Sequence, residues 1–408
     1  MSKFLFIVSK YGDDIQTNGR VLQPIIEQLQ LMGNDVYCIS ESDLEREYVY
    51  FGTQVFTVKQ RLYNSLIKKK AWAPVGRALE RIVLLANYSR YPNVDNKTAL
   101  KLCNKIGKLH EKEQFDCILA VNRKFTNVQA LRYVKKKYPD AHCGVIYFDL
   151  VNANRPKYYA YNYFNYLCNR VEKQIYDSVD QVLYPDIAKD YCSKLFGNSS
   201  EKVSFFDYPG FRPSERRVMK KSDDRKELTF VYAGTLNQHY RSPEPLFKML
   251  SFMDIPDSKL VLKLFAKGDY SDILDLYRNK GNVTILDEGI VSKSELDQNY
   301  YHADFVVNIS NRGLNAIPSK VFELIALGKP VLNFIQDKDD PTISYFQKYP
   351  MVCNIRCYED LSEQIPHITQ FINEARDLSD EEMRMVSEAF YKNTPEYFCH
   401  ILNQWLEA

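Results

Sequence analysis

The sequence predicts an α/β protein built from two Rossmann-like domains in series, each with a doubly wound parallel sheet. Three observations carry this. The first 40 residues run strand, loop, helix, strand; a second strand-first series begins at Leu228; and the charge changes sign between the two. Residues 1–210 hold 30 Lys and Arg against 22 Asp and Glu, whereas the remainder holds 24 against 30. Halves of net charge +8 and −6 imply two surfaces with a boundary near residue 210. A length of 408 residues suits two domains with separate cores.

The opening strand is expected over 4–8, followed by a loop over 9–19. A helix over 21–32 is stopped by Gly33-Asn34, and a strand follows over 36–40. Further strands are expected at 117–121, 144–148 and 181–184. The stretch DYPGFRPSERRVMKKSDDRK, 207–226, reads as a linker. Beyond it, LTFVYAG, LVLKLFA, VTILDEG, FVVNIS and VLNF alternate with helical patterns, the mark of a second parallel sheet. The expected domains are therefore 1–206 and 227–385, with a C-terminal helix over 386–408. Such sheets bind ligands at the carboxyl ends of their strands, so two in series put a cleft between those ends. Nine scattered cysteines with no CxxC pair suit reduced thiols in a cytoplasmic protein. No run of 18 apolar residues is present.

Residues 59–92 hold eight basic side chains and one acid, interleaved with Trp72 and three tyrosines. That pattern suits a helix lying on an anionic membrane surface. A plainly solvated helix pair and a nucleic-acid footprint share the charge; the membrane surface is the preferred reading.

The stretch NAIPSKVFELIALGKPVLNF carries the chemistry. Its apolar run over 321–327 ends at Gly328 and precedes a buried strand, so its first turn points out of the packed body. The unpaired N–H groups there favour an anion. Ser319 can cap, Lys320 adds a full positive charge, and Glu323 lies on the same face, free to accept two hydroxyls such as those of a ribose. Gly234 and Thr235 end the strand LTFVYAG, where backbone N–H groups can approach a phosphate, and Arg241 follows with a fork of donors. Gly289 and Ile290 end a later strand, where the backbone can pair with a flat base.

Those three blocks, NAIPSKVFELIALGKPVLNF, VYAGTLNQHYRSPEPL and NVTILDEGIVSKSELDQNYYHADFVVNIS, resemble in content and order the C-terminal domain of GT-B glycosyltransferases of the family 4 type. The resemblance covers about 230–335; the N-terminal half matches in layout only. It implies two domains facing each other across a cleft, with a sugar moved from a nucleotide-diphosphate donor, with retention and without a bound metal or other cofactor. Glu323 falls on the second of two glutamates that many members carry, and Asn315 on the first, which is a departure. Pro318, Ser319 and Lys320 then take the diphosphate, and Asn315 faces the sugar. In the N-terminal domain the family layout puts acceptor-side contacts at Asn18 and Gly19. Asp149 takes the strand-end place of a residue that accepts the acceptor proton, or else caps a helix.

Asp337-Lys338-Asp339 reads as a charged loop, since it lies after the matched strand. The absence of GxGxxG after the first strand, of GxxxxGK[ST] and of GxSxG disfavours dinucleotide redox enzymes, P-loop NTPases and α/β-hydrolases. The expected activity is transfer of a sugar, from UDP in the first instance, to a glycan or lipid-linked oligosaccharide of bacterial surface polysaccharide, at the inner face of the membrane. A nucleotide-sugar 2-epimerase and a non-catalytic scaffold on the same fold are the alternatives.

Overall fold

The computed structural model describes residues 1–12, 17–86, 88–90, 95–122, 125–148, 160–197, 201–213, 227–278, 280–312 and 320–407. The chain divides into two units. Unit 1 comprises 1–209 with 392–408, and unit 2 comprises 210–391. The sequence reading sets its breaks at 206, 226 and 385 instead; most of its linker, 214–226, lies outside the described residues.

Unit 1 carries β1 (Lys3–Val8), β2 (Asp35–Ser42), β3 (Glu47–Tyr50), β4 (Thr53–Lys59), β5 (Cys117–Asn122), β6 (His142–Tyr147), β7 (Gln181–Pro185) and β8 (Val203–Phe206), in the order β3-β4-β2-β1-β5-β6-β7-β8. Every pairing is parallel except the β3–β4 hairpin. Its helices are α1 (Thr17–Leu31), α2 (Leu62–Lys68), α3 (Ala73–Ala86), α4 (Asn96–Glu113), α5 (Phe125–Lys137), α6 (Tyr161–Ser178) and α7 (Lys189–Phe196). Helix α1 begins at Thr17, inside the loop expected over 9–19.

Unit 2 carries β9 (Glu227–Asn237), β10 (Lys259–Asp269), β11 (Val283–Asp287), β12 (Phe305–Ile309), β13 (Val331–Ile335) and β14 (Val352–Arg356). They form an all-parallel sheet in the order β11-β10-β9-β12-β13-β14. Order reverses at β9–β12, the switch point at which such sheets open a crevice. Helices α8 (Glu244–Phe252), α9 (Ser271–Tyr277), α10 (Lys293–His302), α11 (Lys320–Leu327), α12 (Thr342–Phe346), α13 (Leu361–Glu374) and α14 (Asp380–Ala389) belong to this unit.

The single C-terminal helix expected over 386–408 is instead the end of α14 and a separate α15 (Pro395–Glu407), because the short turn Tyr391–Asn393 breaks it. Helix α15 returns to unit 1. Phe398, Cys399, Leu402 and Trp405 are buried against the face of the first sheet that α1 also covers. Trp405 donates to Ser204 Oγ at 3.2 Å, and its ring fills the space a side chain on Gly144 would need.

On the opposite face of that sheet, Glu172 of α6 is buried. It accepts from Tyr184 OH at 2.8 Å and from Tyr191 OH. Burial pushes its carboxyl up to about 7, against the pull of the two phenolic donors.

Candidate functional site

In unit 2 the first turns of α10 and α11 both lie at the carboxyl edge of the sheet, because each helix runs back against the strand that follows it. Ser292 caps α10, accepting from Glu295 N at 3.2 Å, and sets Lys293 in the first turn. Helix α11 buries Val321, Phe322, Leu324, Ile325 and Ala326, which leaves Lys320 and Glu323 as its polar edge.

Glu323 is not free, as the sequence reading has it: Lys293 Nζ lies 2.5 Å from Oε1 and Lys320 Nζ 3.2 Å from Oε2. Lys293 also pairs with Asp297 at 2.5 Å. Lys320 donates to Tyr300 OH at 3.1 Å and sits over that ring. Burial pushes the Glu323 carboxyl up, but Lys320 and Lys293 outweigh it and hold the group below the usual carboxylate range. Burial, reinforced by the charge on Glu323, drives the Tyr300 phenol well up, so it stays neutral. The result is a carboxylate fixed in its charged form and kept 31% exposed. Two cation contacts leave part of its roughly four lone-pair sites to accept hydroxyls from solvent or ligand.

Strand β9 extends past Gly234 and Thr235 to Asn237, paired with β10 throughout. Its ladder with β12 stops at Tyr232, so among the described residues Gly234 and Thr235 are paired on one side only. A side chain at 234 would meet Tyr232 OH at 2.9 Å. The turn after β9 is closed by reciprocal backbone bonds of 3.0 Å between Asn237 and Arg241. Arg241 donates from Nε at 3.0 Å and from an Nη at 2.6 Å to Asn311 Oδ1, and from its other Nη to Thr235 O at 3.4 Å. The arginine thus ties the loop after β9 to the loop after β12. Gly289 has φ +66°, the left-handed region that favours glycine, and Ile290 beside it is exposed.

Glu323, Lys320, Lys293 and Tyr300 form one cluster, and Arg241, Thr235 and Asn311 another, both at strand ends of one sheet. Pro318, Ser319 and Asn315 lie outside the described residues, as does Asp149. Asn18 and Gly19 are buried in the first turn of α1, where Asn18 Nδ2 donates to Asn122 O at 3.3 Å and fastens the helix to the tip of β5. Sequence reasoning missed Lys293 and Asn311. Lys293 stands 30 residues before its partner Glu323, and no local pattern marks such a pair.

In the basic stretch, Trp72, Val75, Leu79, Ile82 and Leu85 are exposed at helical spacing along and just before α3, while Ala73 and Gly76 face inward. Arg77 and Arg81 are exposed beside that stripe. Among the described residues no helix is long and apolar enough to cross a membrane. Nor does any group of three or more His, Cys, Asp or Glu side chains there gather as metal ligands would.

No family model matches the chain, and no curated protein resembles it in sequence. Its fold is shared with solved glycosyltransferases. Sucrose-phosphate synthase from Thermosynechococcus elongatus superposes with a TM-score of 0.59 at 12% identity, covering 99% of this chain and 98% of that one. The lipopolysaccharide outer core galactosyltransferase WaaB gives 0.58 at 11% identity, over 99% of each. Trehalose-6-phosphate synthase OtsA gives 0.59 at 8% identity, over 100% of this chain and 99% of that one. The chain therefore has the two-domain architecture of GT-B enzymes.

Proposed function

We propose that this protein is a glycosyltransferase, of the family 4 type, that moves a sugar from a nucleoside diphosphate, in the first instance UDP, to a glycan or lipid-linked oligosaccharide acceptor in bacterial surface polysaccharide synthesis. The observation that carries the reading is Glu323, a charged, accessible carboxylate flanked by Lys320 and Lys293 at the first turn of α11. A carboxylate with spare acceptor sites suits the vicinal hydroxyls of a ribose. Lysines one step away suit the diphosphate attached to it. Arg241, with Gly234 and Thr235 at the neighbouring strand tip, extends the positive surface; Pro318 and Ser319, just before α11 in sequence, are assigned with Lys320 to the diphosphate by the resemblance. Gly289 and Ile290 take the base.

In the transfer, the acceptor oxygen bonds to the anomeric carbon as the bond from that carbon to the diphosphate breaks. Lys320 and Arg241 neutralise the charge growing on the leaving diphosphate. By the resemblance, Asp149 is the acceptor-side group assigned to take the hydroxyl proton, Asn315 is assigned to the sugar, and Asn18 and Gly19 to the acceptor side. The nucleotide-sugar is the substrate, retention is the expected outcome, and neither a metal nor another cofactor is assigned. The exposed apolar stripe of α3 with Arg77 and Arg81 suits peripheral attachment to the anionic inner face of the membrane, with no role for nucleic acid.

A thermal-shift series with UDP, GDP, CMP, dTDP and their sugars, without added metal, tests the donor site. One nucleoside diphosphate is expected to raise Tm in the wild type and not in Glu323→Ala or Lys320→Ala. No shift with any of them removes the donor reading.

A further inference from the structure

Helix α10 carries Lys293, Asp297 and Tyr300 at spacings of four and three, which put them on one face of the helix. That face meets the polar edge of α11, and both side chains of the edge are held from it. Lys293 Nζ lies 2.5 Å from Glu323 Oε1 and 2.5 Å from Asp297 Oδ1, so one ammonium bridges the two helices. Burial lowers this ammonium, but Glu323 and Asp297 outweigh it and hold the group above its ordinary value. Lys320 Nζ donates to Tyr300 OH at 3.1 Å, sits 5.3 Å above the centre of that ring, and lies 3.2 Å from Glu323 Oε2. Tyr300 is 1% exposed, so the support under Lys320 is part of the packed body.

Glu323 is thus gripped at both oxygens by lysines that are themselves anchored. The terminal torsion of a glutamate is broad, and a carboxylate held at one oxygen turns about it. Held at both, its plane is set, and each oxygen keeps a lone pair in a fixed direction. One lone pair on each oxygen matches two neighbouring hydroxyls better than one. Lys293 shares its charge between two carboxylates, which leaves Lys320 the stronger attraction for a diphosphate.

We propose that α10 is the positioning helix of the donor site: Lys293, steadied by Asp297, orients Glu323 so that the site reads both hydroxyls of the ribose, and Tyr300 orients Lys320 toward the diphosphate. The proposal rests on the donor reading of Glu323 and Lys320, and assigns neither Lys293 nor Tyr300 a contact with the reacting atoms. A nucleotide without its 2′-hydroxyl leaves one oxygen of the fixed carboxylate without a donor. A carboxylate free to turn loses less, because it can swing either oxygen to the hydroxyl that remains.

Calorimetry on the full chain measures binding of UDP and GDP, their 2′-deoxy forms, and UMP and GMP. The proteins compared are the wild type, Lys293→Met, Lys293→Arg and Tyr300→Phe. The two positions are expected to affect different ratios. Lys293→Met lowers the preference for the ribonucleotide over its deoxy form from about tenfold to about twofold, and Lys293→Arg, which keeps a bridging cation, restores it. Tyr300→Phe keeps that preference but weakens the diphosphate about fivefold against the monophosphate. Equal loss of the ribose and deoxyribose forms in Lys293→Met makes Lys293 a plain charge for phosphate and overturns the proposal. So does a Tyr300→Phe protein that binds as the wild type does or weakens every ligand alike. Each of these results leaves the donor reading standing, because the wild type still binds a nucleoside diphosphate. If the wild type binds none, the donor reading falls and the positioning roles fall with it.

Discussion

Glu172 in unit 1 and Glu323 in unit 2 are the same side chain in opposed surroundings. Glu172 is enclosed among apolar residues with two tyrosine hydroxyls as its donors, and burial raises its carboxyl to about 7. Glu323 stands at a sheet edge between two lysines, which depress it despite its partial burial. Neutral donors do not offset the loss of hydration around a charge; ammonium groups do. The difference separates a carboxylate that satisfies hydroxyls inside the fold from one kept ionised where a ligand can reach it.

The contrast is broken most strongly at Glu172. Replacing it with alanine leaves the Tyr184 hydroxyl without its acceptor, leaves Tyr191 with Asn169 alone, and opens a cavity, at a cost of about 3 kcal/mol in urea denaturation. The pH dependence comes next. The folded chain holds a proton on Glu172 that the unfolded chain has released, so stability from this group is full below about pH 4.5 and is lost as pH rises through about 7. A loss on the order of 2–3 kcal/mol is expected across that window, read as the difference between wild type and Glu172→Gln. A flat difference would mean that Glu172 is charged when folded.

Glu323→Gln has the smaller effect on stability, under about 1 kcal/mol, because partly exposed ion pairs contribute little. Its folded value is depressed, so its contribution is present above the unfolded value and fades as pH falls through the folded one. If Glu323→Gln costs as much as Glu172→Ala, the sheet-edge cluster is structural and the contrast disappears. Lys293→Met is the mildest change, within about 0.5 kcal/mol in the urea midpoint. Carboxyl NMR should nevertheless show Glu323 titrating closer to the ordinary range.

The parallel strands were legible because buried strands read as short apolar runs, as in LVLKLFA and FVVNIS. The β3–β4 hairpin was not. Its two-residue turn is Phe51-Gly52, with φ of +45° and +73°, and phenylalanine stands where such turns usually announce themselves with Asn or Asp. Helix α15 was legible as a helix but not as a part of unit 1, since its apolar stripe fits either sheet equally well in sequence. At the site, Lys320 and Glu323 could be read because they interrupt an otherwise apolar helix. Lys293 could not, because its role exists only once α10 and α11 lie side by side.

The return of α15 to the first sheet has a consequence for how the chain is made. During synthesis the strands of unit 1 leave the ribosome before unit 2, but the helix that covers Phe206 and packs beside α1 emerges only after the whole of unit 2. Until then that face lacks Phe398, Leu402 and Trp405, and Gly144 has no indole above it. Unit 2, by contrast, is one continuous stretch of chain, 210–391. The second unit to be translated is thus complete before the first, and the nascent first sheet keeps part of its apolar face uncovered while all of unit 2 is made, an invitation to a chaperone.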